Sequence, residues 1–88
     1  MKRLIEEKDD EGFVGLIGER IQVWCANYIF AGRLVGVNDH DIMLEDASIV
    51  YETGPLTDKK WKDAQKLLPK YWYIRTAAIE SYGKEEKE

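Results

Sequence analysis

From residue 19 onward the chain alternates apolar and polar positions with a period of two. Ile21, Val23 and Cys25 fall on one face of an extended segment, Gln22 and Trp24 on the other. This pattern predicts a first strand. Asn27 and Tyr28 supply a turn, and residues 29–37 predict a second strand in which Phe30, Gly32, Leu34 and Gly36 share a face. Glycines inside a strand lower its propensity but permit the sharp bend or close backbone approach that a small barrel needs. The polar run Asn38-Asp39-His40-Asp41 predicts a tight loop, followed by a third strand over residues 42–52, so that the two strands form a long, bent hairpin. Between residues 53 and 70 the period changes. Gly54-Pro55 stops the strand, Thr57 or Asp58 can cap a helix, and Trp61, Ala64, Leu67 and Leu68 recur at helical spacing before Pro69. The expectation is a helical insertion in the loop between strands 3 and 4. Residues 71–74 and 79–82 are rich in strand-forming residues and are divided by a brief turn at 75–77.

Ahead of the first strand, Asp9, Asp10 and Glu11 face the N-terminal dipole of a short helix running towards Ile17, with Phe13, Leu16 and Ile17 on its buried side. Gly12, Gly15 and Gly18 keep that helix short. Residues 1–10 are highly charged and read as a loose terminus, residues 11–83 as one domain, and residues 84–88 as a disordered charged tail. The resulting fold class is mainly β: a short N-terminal helix followed by a five-stranded, strongly bent antiparallel open barrel of SH3-like form, with a helical insertion between strands 3 and 4.

Size changes this picture. A chain of 88 residues buries only marginally enough apolar surface to stand alone, and assembly with further copies relieves the shortage. Tyr71 to Ile74 and Ala78 to Tyr82 carry few of the charges and none of the prolines that blunt an exposed edge, so strands 4 and 5 invite a partner. If strand 4 of one copy pairs with strand 5 of the next, the contact is heterologous and can close into a homo-oligomeric ring, which is the expected assembly. With 44% hydrophobic and 34% charged residues, the composition is that of a soluble globular domain. No apolar run is long enough to cross a bilayer, and the charged start lacks a signal-peptide core, so a cytoplasmic location and no membrane partner are expected. Cys25, the single cysteine, lies in an apolar strand and reads as core filler, not as a disulfide or metal anchor.

Chemistry is sparse. No serine or cysteine nucleophile has a partnered histidine, no carboxylate pair stands in a recognisable setting, and no phosphate loop is present, so an enzyme is not expected and no cofactor is implied. His40 among Asp39, Asp41 and Asp46 is a weak metal set, and none is expected. A net charge of −4 lacks the overall basic footprint of a nucleic-acid coat, although Lys59, Lys60, Lys62, Lys66 and Lys70 cluster within one stretch.

Two separated segments carry the most specific signal. Gly32, Leu34, Gly36 and His40 in one, and Ile74, Arg75 and Ile79 in the other, resemble the paired signatures of the Sm-like family, in the family's order of helix, long hairpin, variable loop and Ile-Arg turn. Asn38 stands where the family usually has Asp, Ile42 where Sm and archaeal members have Asn, and Thr76 where Gly is usual. The segment around Asn38 to Leu44 is closer to the bacterial Hfq branch, and the Ile74-Arg75 turn to the Sm and archaeal branch; the chain resembles a divergent member.

That resemblance implies a ring-forming protein that holds single-stranded RNA at nucleotide pockets on its inner rim, with no DNA specificity. His40 and Arg75 would offer opposed flat surfaces for a base, and Asn38, Asp39, Asp41 and Thr76 would complete the pocket. Ile42 has no group to read a base edge, and Asp41 is the nearest substitute should the loop alignment move by one residue. Other readings stand beside this one: His40 as a solvated turn residue, Arg75 as a strut paired with Asp39 or Asp41, and the whole molecule as a protein-interaction scaffold that has lost its RNA pocket.

Overall fold

The alternation over residues 20–25 is realised as β1 (Arg20–Cys25), followed by β2 (Ile29–Val37) and β3 (Asp41–Glu52). The computed structural model describes Leu4 and residues 11–85; the rest of the charged segment 1–10, expected to be loose, lies outside the described residues. Three further strands complete the sheet: β4 (Asp63–Lys66), β5 (Tyr71–Arg75) and β6 (Ile79–Lys84). All pairings are antiparallel, in the order β4-β3-β2-β1-β6, with β5 also on β3. The mainly β, strongly bent architecture is as the period-two pattern predicts.

Both helical expectations are corrected. In place of an N-terminal α-helix there is a three-residue 3-10 turn, Val14–Leu16. Gly12 (φ 62) and Gly18 (φ 92) take left-handed backbone on either side of it, which an α-helix cannot propagate through. The turn still packs as a lid: Phe13 stacks on Tyr82 with ring centroids 3.7 Å apart, and Leu16 joins the core margin, while Ile17, expected to be buried, is exposed. In place of a helical insertion, Asp63–Lys66 forms β4 along the outer half of β3. Of the helically spaced Trp61, Ala64, Leu67 and Leu68, Leu67 packs against the core and Trp61 is half-buried, while Ala64 and Leu68 are exposed, so the four do not share one buried stripe. The open edge of β3 offers ladder hydrogen bonds instead, and those decide the conformation.

β3 is the spine, with β5 along residues 41–45 and β4 along residues 48–52, both on the edge away from β2. The strand bends between these halves at Asp46, whose φ of 52 is left-handed, a region aspartate tolerates better than most residues. The Asp46 N–H donates to the Lys70 carbonyl (3.2 Å) and the Leu67 N–H to the Ala47 carbonyl (2.9 Å), so the break between β4 and β5 is stitched to the bend. Irregular register in the β2–β3 ladder, between Ala31 and Arg33 and between Leu34 and Gly36, adds curvature beside the strand glycines. At Gly32 the approach is so close that a Cβ would stand 3.1 Å from the Ala47 Cα and 3.2 Å from the Glu45 carbonyl oxygen.

Inside the bend, Ile21, Val23, Leu34, Ile42 and Leu44 are fully buried and form the core with Ala47 and Ile74. β6 closes onto β1 through Lys84, and the Glu85 N–H donates to the Arg20 carbonyl, so both residues, assigned to the tail from sequence, are held in the fold. No helix among the described residues is long and apolar enough to cross a membrane.

Candidate functional site

The two signature segments meet because β3 and β5 pair in register, Asp41 opposite Arg75 and Ile42 opposite Ile74. The turn before β3 and the turn after β5 therefore emerge side by side at one end of the barrel. Thr76 clasps them: its N–H donates to the His40 carbonyl (2.8 Å), and its hydroxyl lies 3.2 Å from that oxygen and 3.4 Å from the Asp39 carbonyl. The residue that stands in place of the family's usual Gly thus has a structural task of its own.

Asn38 also builds the loop. Its Oδ1 accepts the N–H groups of His40 and Asp41, each at 2.7 Å, and its own N–H donates to the Asp41 carbonyl (3.0 Å). A short polar side chain that gathers the backbone N–H groups two and three residues on is the usual way such a turn is fixed. Asp39 contributes its carbonyl to the clasp and leaves its side chain in solvent. His40 is held at both its N–H and its carbonyl, yet its exposed imidazole has no hydrogen-bond or ion-pair partner among the described residues.

Arg75 is a strut as well as an open surface. Its Nε is 3.5 Å from Asp41 Oδ1, while its side chain remains 78% exposed against 33% for Asp41. An exposed pair of this kind adds at most about 1 kcal/mol and leaves most of the guanidinium plane free to stack. Ile42, in contrast, is fully buried and points into the core; the polar side chain at the loop mouth is Asp41. All six residues singled out in the sequence are thus gathered at one end: Asn38 and Thr76 as framework, Asp39 through its carbonyl, Asp41 as a partner of Arg75, and His40 and Arg75 facing solvent. No cluster of three or more metal-ligating side chains occurs among the described residues.

A feature that the sequence did not mark adjoins this end. The turn after β1 and the segment from β5 to β6 face one another across an open groove of about 430 Å³, whose walls include Cys25, Tyr28, Phe30, Trp72 and Ala78. Burial, aided by the negative charge of Glu80, raises the Cys25 thiol above its ordinary pKa, so it is poorly disposed to react. Beside the groove, among the described residues β5 has a strand neighbour only on its β3 side and β6 only on its β1 side. The lysine cluster lies elsewhere. Lys62 and Lys66 belong to the segment past the far end of β3 and are paired with Glu52 (3.3 Å) and Asp46 (3.5 Å).

A 3-10 turn leading into an antiparallel sheet bent about one long third strand, with β6 at one end, β4 and β5 at the other and its two signature turns clasped together, has the Sm-like fold. The structure is similar to that of the Pyrococcus abyssii Sm protein solved in complex with a uridine heptamer, with a TM-score of 0.61 and 18% identity over 82% of this chain and 90% of that one. No family model matches the chain, and no curated protein matches it in sequence.

Proposed function

We propose that this protein is an Sm-like RNA-binding module, not an enzyme, which assembles into a ring and holds single-stranded RNA at the end of the barrel where His40 and Arg75 emerge. The observation that carries this reading is the clasp: Thr76 and Asn38 fix two turns by their backbones, and the two side chains left without a structural commitment, or nearly so, are an imidazole and a guanidinium. Both present flat faces suited to an unstacked base. The similar Sm protein was solved with a uridine heptamer, which supports RNA as the ligand class.

Each stacked base is worth about 1–3 kcal/mol, and repetition around a ring multiplies weak sites through effective concentration. An acidic chain can in this way bind RNA without a basic surface. The unpaired outer sides of β5 and β6 are the edges that heterologous pairing between copies requires, and they correspond to the strand 4 and strand 5 of the sequence reading. Asp41 takes the place at the loop mouth that Ile42 cannot. As an acceptor it is drawn towards a base N–H, but it repels phosphate, so base preference differs from that of members carrying Asn.

Titration of short single-stranded RNA homopolymers at several salt concentrations tests the proposal. Arg75→Ala and His40→Ala each weaken binding about tenfold while leaving the thermal midpoint within a few degrees, since both side chains are exposed. An assembled ring that binds none of the homopolymers overturns the RNA reading and leaves the protein-interaction scaffold.

A further inference from the structure

The polar groups at the end of the barrel where His40 and Arg75 emerge are not equally free to read a base. A base stacked on flat side chains is identified along its edge, by whichever donors and acceptors beside it have no other partner. Most of those present are engaged in building the loop. Asn38 Oδ1 accepts the N–H groups of His40 and Asp41 at 2.7 Å, and the Thr76 hydroxyl hydrogen is directed to the carbonyls of His40 and Asp39. Ile42 is fully buried and apolar.

Asp41 is different. β3 turns Ile42 into the core, so alternation directs Asp41 to the opposite face, where register sets it across from Arg75. Its Oδ1 lies 3.5 Å from Arg75 Nε, whereas its Oδ2 has no hydrogen-bond or ion-pair partner among the described residues. Each carboxylate oxygen accepts two hydrogen bonds, so both retain room for a ligand. The half-buried side chain is tethered, which fixes where the carboxylate stands; Asp39, the other carboxylate beside His40, is exposed and its side chain has no partner among the described residues. The Arg75 charge also offsets that of Asp41, so the carboxylate repels an RNA backbone less than a bare one does.

We propose that Asp41 makes this site selective for guanine. The inference rests on the RNA-binding reading above and names the base that reading does not. An ionised carboxylate only accepts hydrogen bonds, through two oxygens side by side. Among the four RNA bases, guanine presents two adjacent N–H donors on its Watson–Crick edge, N1–H and the 2-amino group, and the two pairs match one to one. Uracil has N3–H between two carbonyl oxygens, which meet the carboxylate with like partial charge. Adenine and cytosine have an amino N–H beside a ring nitrogen that bears a lone pair. Each of these three gains one hydrogen bond and sets an acceptor against an acceptor. The donors left over at this end, Asn38 Nδ2 and the rest of the Arg75 guanidinium, suit guanine O6, which adjoins N1–H. An asparagine in place of the carboxylate offers one donor and one acceptor, the pair that uracil requires.

The test uses the full chain and three labelled hexaribonucleotides, read by fluorescence anisotropy: uracil throughout, uracil alternating with guanine, and uracil alternating with inosine. The guanine hexamer is expected to bind about tenfold more tightly than the uracil hexamer. Inosine keeps O6 and N1–H but lacks the 2-amino group, so its hexamer loses most of that advantage. Asp41→Asn brings the guanine and uracil hexamers within about twofold of one another or reverses their order. Should Asp41→Asn fail to fold, the comparison of guanine with inosine on the unsubstituted protein decides the matter alone. A uracil hexamer that binds as tightly as the guanine hexamer overturns the inference, and so does equal binding of the guanine and inosine hexamers. A guanine preference that survives Asp41→Asn also overturns it, and its loss in Asp39→Asn then assigns the role to that residue. In these cases the RNA-binding reading still stands. Failure of all three hexamers to bind removes that reading and this inference together.

Discussion

Single residues divide into those that make the barrel and those the barrel leaves over. Gly32 belongs to the first kind. A Cβ there meets the Ala47 Cα, the Glu45 carbonyl and the Leu44 Cβ at 3.1 to 3.3 Å, and two of these are backbone atoms that cannot swing aside. Gly32→Ala is expected to destabilise the fold by about 1–3 kcal/mol, the usual cost of overpacking. Gly83→Ala, with nothing within 4 Å of the added Cβ, serves as the control and costs less than about 1 kcal/mol. Chemical denaturation of the two variants checks this, and equal midpoints would refute the close-approach account. His40 and Arg75 belong to the second kind: their backbones are fixed by neighbours and their side chains are not. The sequence marks all four residues of the loop as turn-forming, yet it does not say which serve the loop and which are released from it. That division follows from where Asn38 Oδ1 and the Thr76 hydroxyl find partners.

At the level of elements, β3 explains most of what the periodicity missed. A strand of 12 residues bent at Asp46 presents two differently directed edge segments, and one continuous partner strand cannot follow both. The partner is therefore split into β4 and β5, with Pro69 in the gap, where proline costs no ladder bond. The segment 61–68 has a helical spacing and a strand's surroundings, and the surroundings prevail because the isolated helix is short and the open edge of β3 supplies ladder partners for residues 63–66. The bend itself is testable. Asp46→Gly relieves the left-handed strain and leaves stability equal or up to about 1 kcal/mol higher, while Asp46→Val, β-branched at a positive φ, lowers it by about 1–2 kcal/mol. Thermal unfolding of both variants distinguishes them; a stable Asp46→Val protein would mean that the bend does not depend on that backbone state.

Assembly is a matter for the whole molecule. With β6 closing one end of the sheet on β1 and β5 the other on β3, the barrel is left open along two strands, and the apolar groove beside Cys25 and Trp72 lies at that opening. Under the proposed ring, those edges are covered by neighbouring copies. Tyr73, 64% exposed on β5, lies on the edge in question. Tyr73→Glu is expected to shift the sedimentation profile from a closed oligomer to smaller species at micromolar concentration and, by removing multivalency, to weaken RNA binding at least tenfold. A single-copy mass for the unsubstituted protein would contradict the ring directly.

By itself the sequence determined the local chemistry: period-two strands, glycines within the second strand, a polar turn that carries a histidine, and an Ile-Arg turn answering it some thirty-five positions later. These depend on neighbours near in the chain, and alternation and turn propensity reveal them. Only the tertiary structure decided which side chains of that signature are usable. Register between β3 and β5 buries Ile42, brings Asp41 to the mouth beside Arg75, and sets Thr76 across the loop as a clasp. It likewise decided that the stretch before Pro69 would complete a sheet edge, and that Trp61 would be tied across the sheet to Glu85. In each case the deciding partner is remote in sequence, and the free energy comes from satisfying a bent strand's exposed edge and from burying apolar surface, neither of which has a local signature.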